Sequence, residues 1–102
     1  MFQKCRITVV KRTLNSDLIE EFITDPKIFP LCTKLEEGQE FMVENPFEMP
    51  EGLCHSAWAD IRTYVLTMAT GGSFPMMKNP ASTLAICSDP CRPVIFNVER
   101  VE

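Results

Sequence analysis

The chain has 102 residues, one domain's worth, with 45% hydrophobic and 24% charged side chains, proportions that belong to a folded chain and not to a disordered one. Ten basic against fourteen acidic residues leave a net charge of −4, which argues against a general binder of nucleic acid or anionic membrane, because both need a basic field. No apolar run approaches the roughly 20 residues of a membrane helix, and the basic residues of positions 1–12 are not followed by an apolar h-region, so a cytoplasmic protein without a signal peptide is expected.

Gln3 to Lys11 alternates, with Cys5, Ile7 and Val9 on one side and Lys4, Arg6, Thr8 and Val10 on the other. That is the pattern of a half-buried strand. Leu14-Asn15-Ser16-Asp17 opens a short helix: Asn15 or Ser16 can accept a bond from a first-turn N–H, and Asp17 suits the positive end of the dipole. Leu18, Ile19, Phe22 and Ile23 give it an apolar face, and Pro26 ends it. Residues 26–38 read as loop. Glu40 to Glu44 reads as a second strand with Phe41 and Val43 toward the core. Pro46 and Pro50 then exclude a helix interior or central strand.

The strongest helix runs from near Ser56 to Thr70. Trp58, Ile61, Val65 and Met68 form one stripe, broadened by Ala57, Tyr64 and Leu66, and Gly71 is its stop. A loop over 71–82 leads to a short apolar strand, Thr83 to Cys87. Ser88-Asp89-Pro90 has turn chemistry. The last strand, Arg92 to Val101, sets Val94, Phe96 and Val98 against Ile95, Asn97 and Glu99. The order β-α-β-α-β-β predicts a small single α+β domain over residues 1–102, with two helices on a mostly antiparallel sheet. The basic first strand and the Glu99-bearing last strand are candidates for neighbours.

Cys5, Cys32, Cys54, Cys87 and Cys91 are odd in number, which disfavours a complete disulfide framework. Buried apolar packing is the plain expectation for each. Four chemistries compete with it. Cys87-x-x-x-Cys91, completed by Cys54, His55 or Cys32, could hold zinc or an iron–sulfur centre, although the spacing is not that of paired knuckles. Cys54, just ahead of the second helix, could be a thiolate favoured by the helix N-terminus, with His55, the sole histidine, nearby. Trp58, Asp60 and Arg62 with Asp89 could form a polar site, although Asp60, read as lying in the first turn, also suits the helix dipole. The loop Phe74-Pro75-Met76-Met77 could cover a pocket or a subunit contact, and a homo-oligomer would suit so small a core. Phosphate-binding glycine loops, dinucleotide fingerprints, H-E-x-x-H and nucleophile-elbow motifs are absent. The sequence names no cofactor.

The string Ile7-Thr8-Val9-Val10-Lys11-Arg12 resembles the start of a family of short, stand-alone, largely uncharacterised proteins of anaerobic bacteria and archaea. The resemblance continues through Glu37-Gly38-Gln39-Glu40-Phe41, Met49-Pro50-Glu51-Gly52-Leu53-Cys54 and Ala57-Trp58-Ala59-Asp60-Ile61. Gly71-Gly72-Ser73-Phe74-Pro75 and Arg92-Pro93-Val94-Ile95-Phe96 complete it. It implies cysteines at the positions of Cys32, Cys54 and Cys87. The chain departs from the family pattern at Ile86, where a second cysteine is common, and at Pro90, where glycine is common. It departs again at His55-Ser56, where an aromatic is common. These departures weaken a vicinal-dithiol metal or redox reading. The resemblance shifts weight to Cys54, Asp60, Cys87 and Asp89 as one thiol-containing site, with Cys32, His55, Trp58 and Phe74 as ligand-binding candidates. The function expected is small-molecule binding at a cysteine-centred pocket, with thiol-dependent redox or isomerisation chemistry. The alternatives are a non-catalytic interaction module or oligomeric subunit, and a structural metal-binding protein.

Overall fold

The structure, a computed structural model, describes residues 1–28 and 31–101. Seven elements follow in order: β1 (Cys5–Arg12), α1 (Ser16–Phe22), a one-turn 3₁₀ helix (Pro26–Ile28), β2 (Glu40–Val43), α2 (His55–Ala69), β3 (Ser82–Ile86) and β4 (Val94–Arg100). The four strands make one antiparallel sheet in the order β2-β1-β4-β3. This is the expected α+β class.

Period-two alternation decides which face is buried. Cys5, Ile7 and Val9 of β1, Phe41 and Val43 of β2, Ala85 of β3, and Val94, Phe96 and Val98 of β4 all point into the core. Helix α2 crosses that face. Its stripe of Ala57, Ile61, Val65 and Met68 is fully buried, Trp58 packs partly buried beside it, and Tyr64 is exposed. Each fully buried large side chain stabilises the fold by roughly 1.5–3 kcal/mol through removal of apolar surface from water.

The ends of α2 explain its length. Gly71, at φ +91, takes the left-handed conformation that stops a helix. Arg100 on β4 then donates Nη1 to the carbonyls of Met68 at 3.0 Å and Gly72 at 2.8 Å. A cation thus meets the negative end of the helix and satisfies carbonyls there.

β1 and β4 are central neighbours, and Arg6 stands opposite Glu99. Arg6 Nη2 donates to Glu99 Oε1 at 2.7 Å on the face away from α2. A bulge between Val9 and Lys11 interrupts the pairing with β4, which kinks β1 near its end.

Helix α1 departs from expectation. Of its apolar face, Ile19 is buried, whereas Leu18 is exposed and Phe22 is 72% exposed. The segment is attached through backbone groups: Thr13 N–H donates to Pro93 O and Asn15 N–H to Cys91 O, both at 2.9 Å. Asn15 makes no side-chain cap bond. Its Nδ2 instead donates to Pro90 O at 2.6 Å, so a residue with capping chemistry serves to tie α1 to the loop before β4. The helix also ends at Phe22, before Pro26, with Ile23 already extended.

No helix among the described residues is long and apolar enough to cross a membrane.

Candidate functional site

A cavity of about 290 Å³ opens where α2 begins and β3 ends. Three separate segments build it. The loop ahead of β2 contributes Cys32 and Lys34, with the fully buried Leu35. The start of α2 contributes Cys54, Ser56 and Asp60. The β3–β4 connection contributes Cys87, Ser88, Asp89 and Arg92. The topology makes this convergence. α2 packs on β3 and β4 with its last turn at Arg100, beside the start of β3, so its first residues lie by the end of that strand.

Cys54 is the N-cap residue of α2, in extended conformation at φ −75 and ψ 148, and its carbonyl accepts the first helical bond from Trp58 N–H at 3.0 Å. The first turn carries no acidic residue. Asp60 lies beyond that turn, because the helix starts at His55 and not later. The reading of Asp60 as a dipole partner is therefore corrected. Its Oδ2 accepts from Ser88 N–H at 2.8 Å and from Ser88 Oγ at 2.9 Å. This pair of bonds staples the β3–β4 loop to α2.

Cys87 follows β3 directly and donates its N–H to Val94 O at 2.9 Å. Burial pushes its thiol above the ordinary value of 9.0. The Asp89 N–H bonded to the sulfur opposes this, and negative charge on Asp60, Cys54 and Asp89 adds to the rise. Cys87 is therefore a protonated thiol at neutral pH, within electrostatic reach of Cys54.

Asp89 closes the turn. Its Oδ1 accepts from Cys91 N–H at 3.0 Å and Arg92 N–H at 3.3 Å, and its Oδ2 accepts from Arg92 Nε at 3.2 Å. Burial opposes its charge, but the Cys91 N–H and both Arg92 donors outweigh that and hold the carboxyl below its ordinary range. A carboxylate so engaged orients the loop and Arg92. It is a poor proton exchanger near neutrality.

Of the sequence candidates, Cys32, Cys54, Asp60, Cys87 and Asp89 share this cavity. His55, Trp58 and Phe74 lie outside its lining. His55 is exposed at the helix start. Trp58 packs against the core. Phe74 does so too, with its ring 6.2 Å from that of Tyr64. Arg62 sits over the Phe47 ring at 5.4 Å and not with Asp60. Cys91 is also outside the lining, and Cys5 is fully buried in the sheet core, donating to Val65 O at 3.9 Å. All five cysteines are free. Among the described residues, no group of three or more His, Cys, Asp or Glu is disposed to hold a metal ion.

Several wall residues escaped the sequence reading. Ser88 and Arg92 flank Asp89 in a turn-forming string, and that was their available signal. Lys34 carried none. Arg12 acts behind the wall: its Nη1 donates to Cys32 O at 3.1 Å and Leu35 O at 3.3 Å, and its backbone N–H donates to Glu37. One arginine at the end of β1 thereby holds the loop that carries the third thiol.

Comparison with protein-family models, curated proteins and solved structures finds no match to this chain.

Proposed function

We propose that this chain is a cytoplasmic protein that binds a small polar molecule in the thiol-lined cavity and acts on it through Cys54. One observation carries this reading: thiols and polar side chains from three distant segments of the chain converge on one cavity of about 290 Å³. That volume sits at the small end of ligand pockets, which span roughly 300–1,000 Å³. Cys54, at the positive end of α2, is the nucleophile, since a helix N-terminus favours negative charge. Cys87, held protonated, supplies a proton to the group that leaves or forms. Asp60 and Asp89 act as positioning residues for the wall through their bonds to Ser88 and Arg92. The resemblance to short proteins of anaerobes supports the same site, because half-exposed thiols survive where oxygen is scarce.

The test is ligand-observed and amide-detected NMR with small carboxylates, amides and sugars as probes. Binding that shifts the amides of Cys54, Ser56, Ser88 and Asp89 together is the expected result. Binding confined to other surfaces, or none at millimolar probe, contradicts the reading.

A second reading draws on one surface. Strand β3 is a sheet edge, and its Leu84 and Ile86 are 54% and 50% exposed on the face that α2 leaves open. An exposed apolar edge strand is a template for pairing. On this reading the chain is an oligomeric subunit or interaction module that uses β3, and the Phe74–Met77 loop contributes through the exposed Pro75 and Met76, because Phe74 packs inward. Native mass spectrometry showing a stable oligomer, with pocket thiols inert to alkylation, would favour it over the first.

A further inference from the structure

Resting on the reading of Cys54 as the reactive thiol, we propose that Cys54 and Cys87 form a dithiol couple whose substrates are low-molecular-weight disulfides. The two thiols line the same cavity and sense each other electrostatically, one at the N-cap of α2 and one immediately after β3. The Ser88–Asp60 bonds, at 2.8 and 2.9 Å, fasten the segment next to Cys87 onto the helix that Cys54 begins. Their environments differ in the direction that thiol–disulfide exchange needs. One thiol lies at the positive end of a helix. The other is kept in the thiol form by burial and by the charges of Asp60, Cys54 and Asp89. An attacking thiolate and a resolving thiol that carries the proton are the two roles in such exchange. The cavity around them carries Lys34 and Arg92 together with Asp60 and Asp89 in its wall, so it suits a small disulfide with polar substituents.

The chemistry balances without a metal or a further cofactor. The Cys54 thiolate attacks one sulfur of R–S–S–R, the disulfide bond breaks, and a mixed disulfide forms on Cys54. The departing thiolate takes the proton of Cys87. Cys87, now a thiolate, attacks the Cys54 sulfur and expels the second thiolate, which takes a proton from solvent. The small disulfide is reduced to two thiols, and the protein is oxidised to one Cys54–Cys87 disulfide.

The test treats the reduced full chain with bis(2-hydroxyethyl) disulfide and with glutathione disulfide at neutral pH under nitrogen, followed by intact mass and peptide mapping. The expected product has lost two hydrogens and links Cys54 to Cys87. Cys87→Ser should stop at a mixed disulfide on Cys54, Cys54→Ser should leave Cys87 reduced, and Cys91→Ser, outside the cavity, should behave as the parent. A parent chain that accumulates the mixed disulfide on Cys54 without an internal bond overturns the couple and leaves the reactive-thiol reading standing. An internal bond from Cys54 to Cys32 also overturns it. A Cys54 that exchanges no faster than Cys91, outside the cavity, overturns both. Near-ultraviolet circular dichroism of each variant shows that a lost product is not a lost fold.

Discussion

Replacing Asp60 with alanine removes both hydrogen bonds from Ser88, the N–H at 2.8 Å and the Oγ at 2.9 Å, that fasten the β3–β4 loop to α2. Hydrogen bonds to charged groups contribute about 1.5–3 kcal/mol when shielded. Ser88 is exposed, so water replaces part of what is lost. The combined cost is then about 1–2 kcal/mol, or roughly 4–16 °C in Tm for a chain of this size. The same change removes one of the charges that oppose ionisation of Cys87, whose thiol is raised first by burial. Its alkylation should begin at lower pH. Asp60→Asn separates the two effects. The amide oxygen still accepts from Ser88, which limits the stability loss to about 1 kcal/mol, yet the charge is gone. The assay is a thermal melt together with the pH–rate profile of Cys87 alkylation, read in a background where Cys32, Cys54 and Cys91 are serine. That background also lacks the charge of Cys54, so any shift belongs to Asp60. A Cys87 profile in Asp60→Asn superimposable on that of the parent background would refute the electrostatic link between α2 and the thiol.

Other perturbations follow from the core and the wall. Phe96, fully buried on a central strand, should cost about 3–5 kcal/mol when truncated to alanine, read as a fall in the urea midpoint at unchanged slope. Arg12→Met removes the donor to Cys32 O and Leu35 O. It should cost about 1–2 kcal/mol and make Cys32 alkylate faster than in the parent. The alkaline limb of stability should report Cys5 and Cys87. Burial raises both, with Arg100 opposing at Cys5, and with Asp60, Cys54 and Asp89, beside Lys34 and Arg92, around Cys87. A raised folded value means the folded chain holds its protons longer than the unfolded one. The associated stability is fully present below 9.0 and is lost as pH climbs past it through the higher folded values. Urea midpoints measured from neutral to alkaline pH should fall above that point, and less so in Cys87→Ala.

Alternation and helical spacing were sufficient for the elements that carry the core. The Cys5-Ile7-Val9 and Val94-Phe96-Val98 rows each have a period of two, and both faces are as read. The basic character of β1 and Glu99 on β4 pointed to the pairing of these strands, and Arg6 meets Glu99 across the register. Helix α1 was harder. Its apolar residues have helical spacing, but spacing does not say whether a partner surface lies within reach, and Leu18 and Phe22 find none that buries them. The site was legible in its residue types and not in its grouping. Cys87 and Cys91 are near in sequence, yet the Asp89 turn leaves Cys91 outside the cavity, whereas Cys32, far from both, is in it. Which thiols meet depends on α2 packing on β3 and β4 with its start beside the end of β3, a long-range outcome that no local pattern encodes.

The central claim is that the cavity makes Cys54 a working thiol, and the most direct measurement is the rate of its modification by limiting iodoacetamide in the folded chain, mapped peptide by peptide against the same reaction in urea. The account predicts that folding speeds Cys54 relative to Cys91, suppresses Cys87 and nearly abolishes Cys5. A folded chain in which Cys54 reacts no faster than Cys91, or more slowly than in urea, would contradict it.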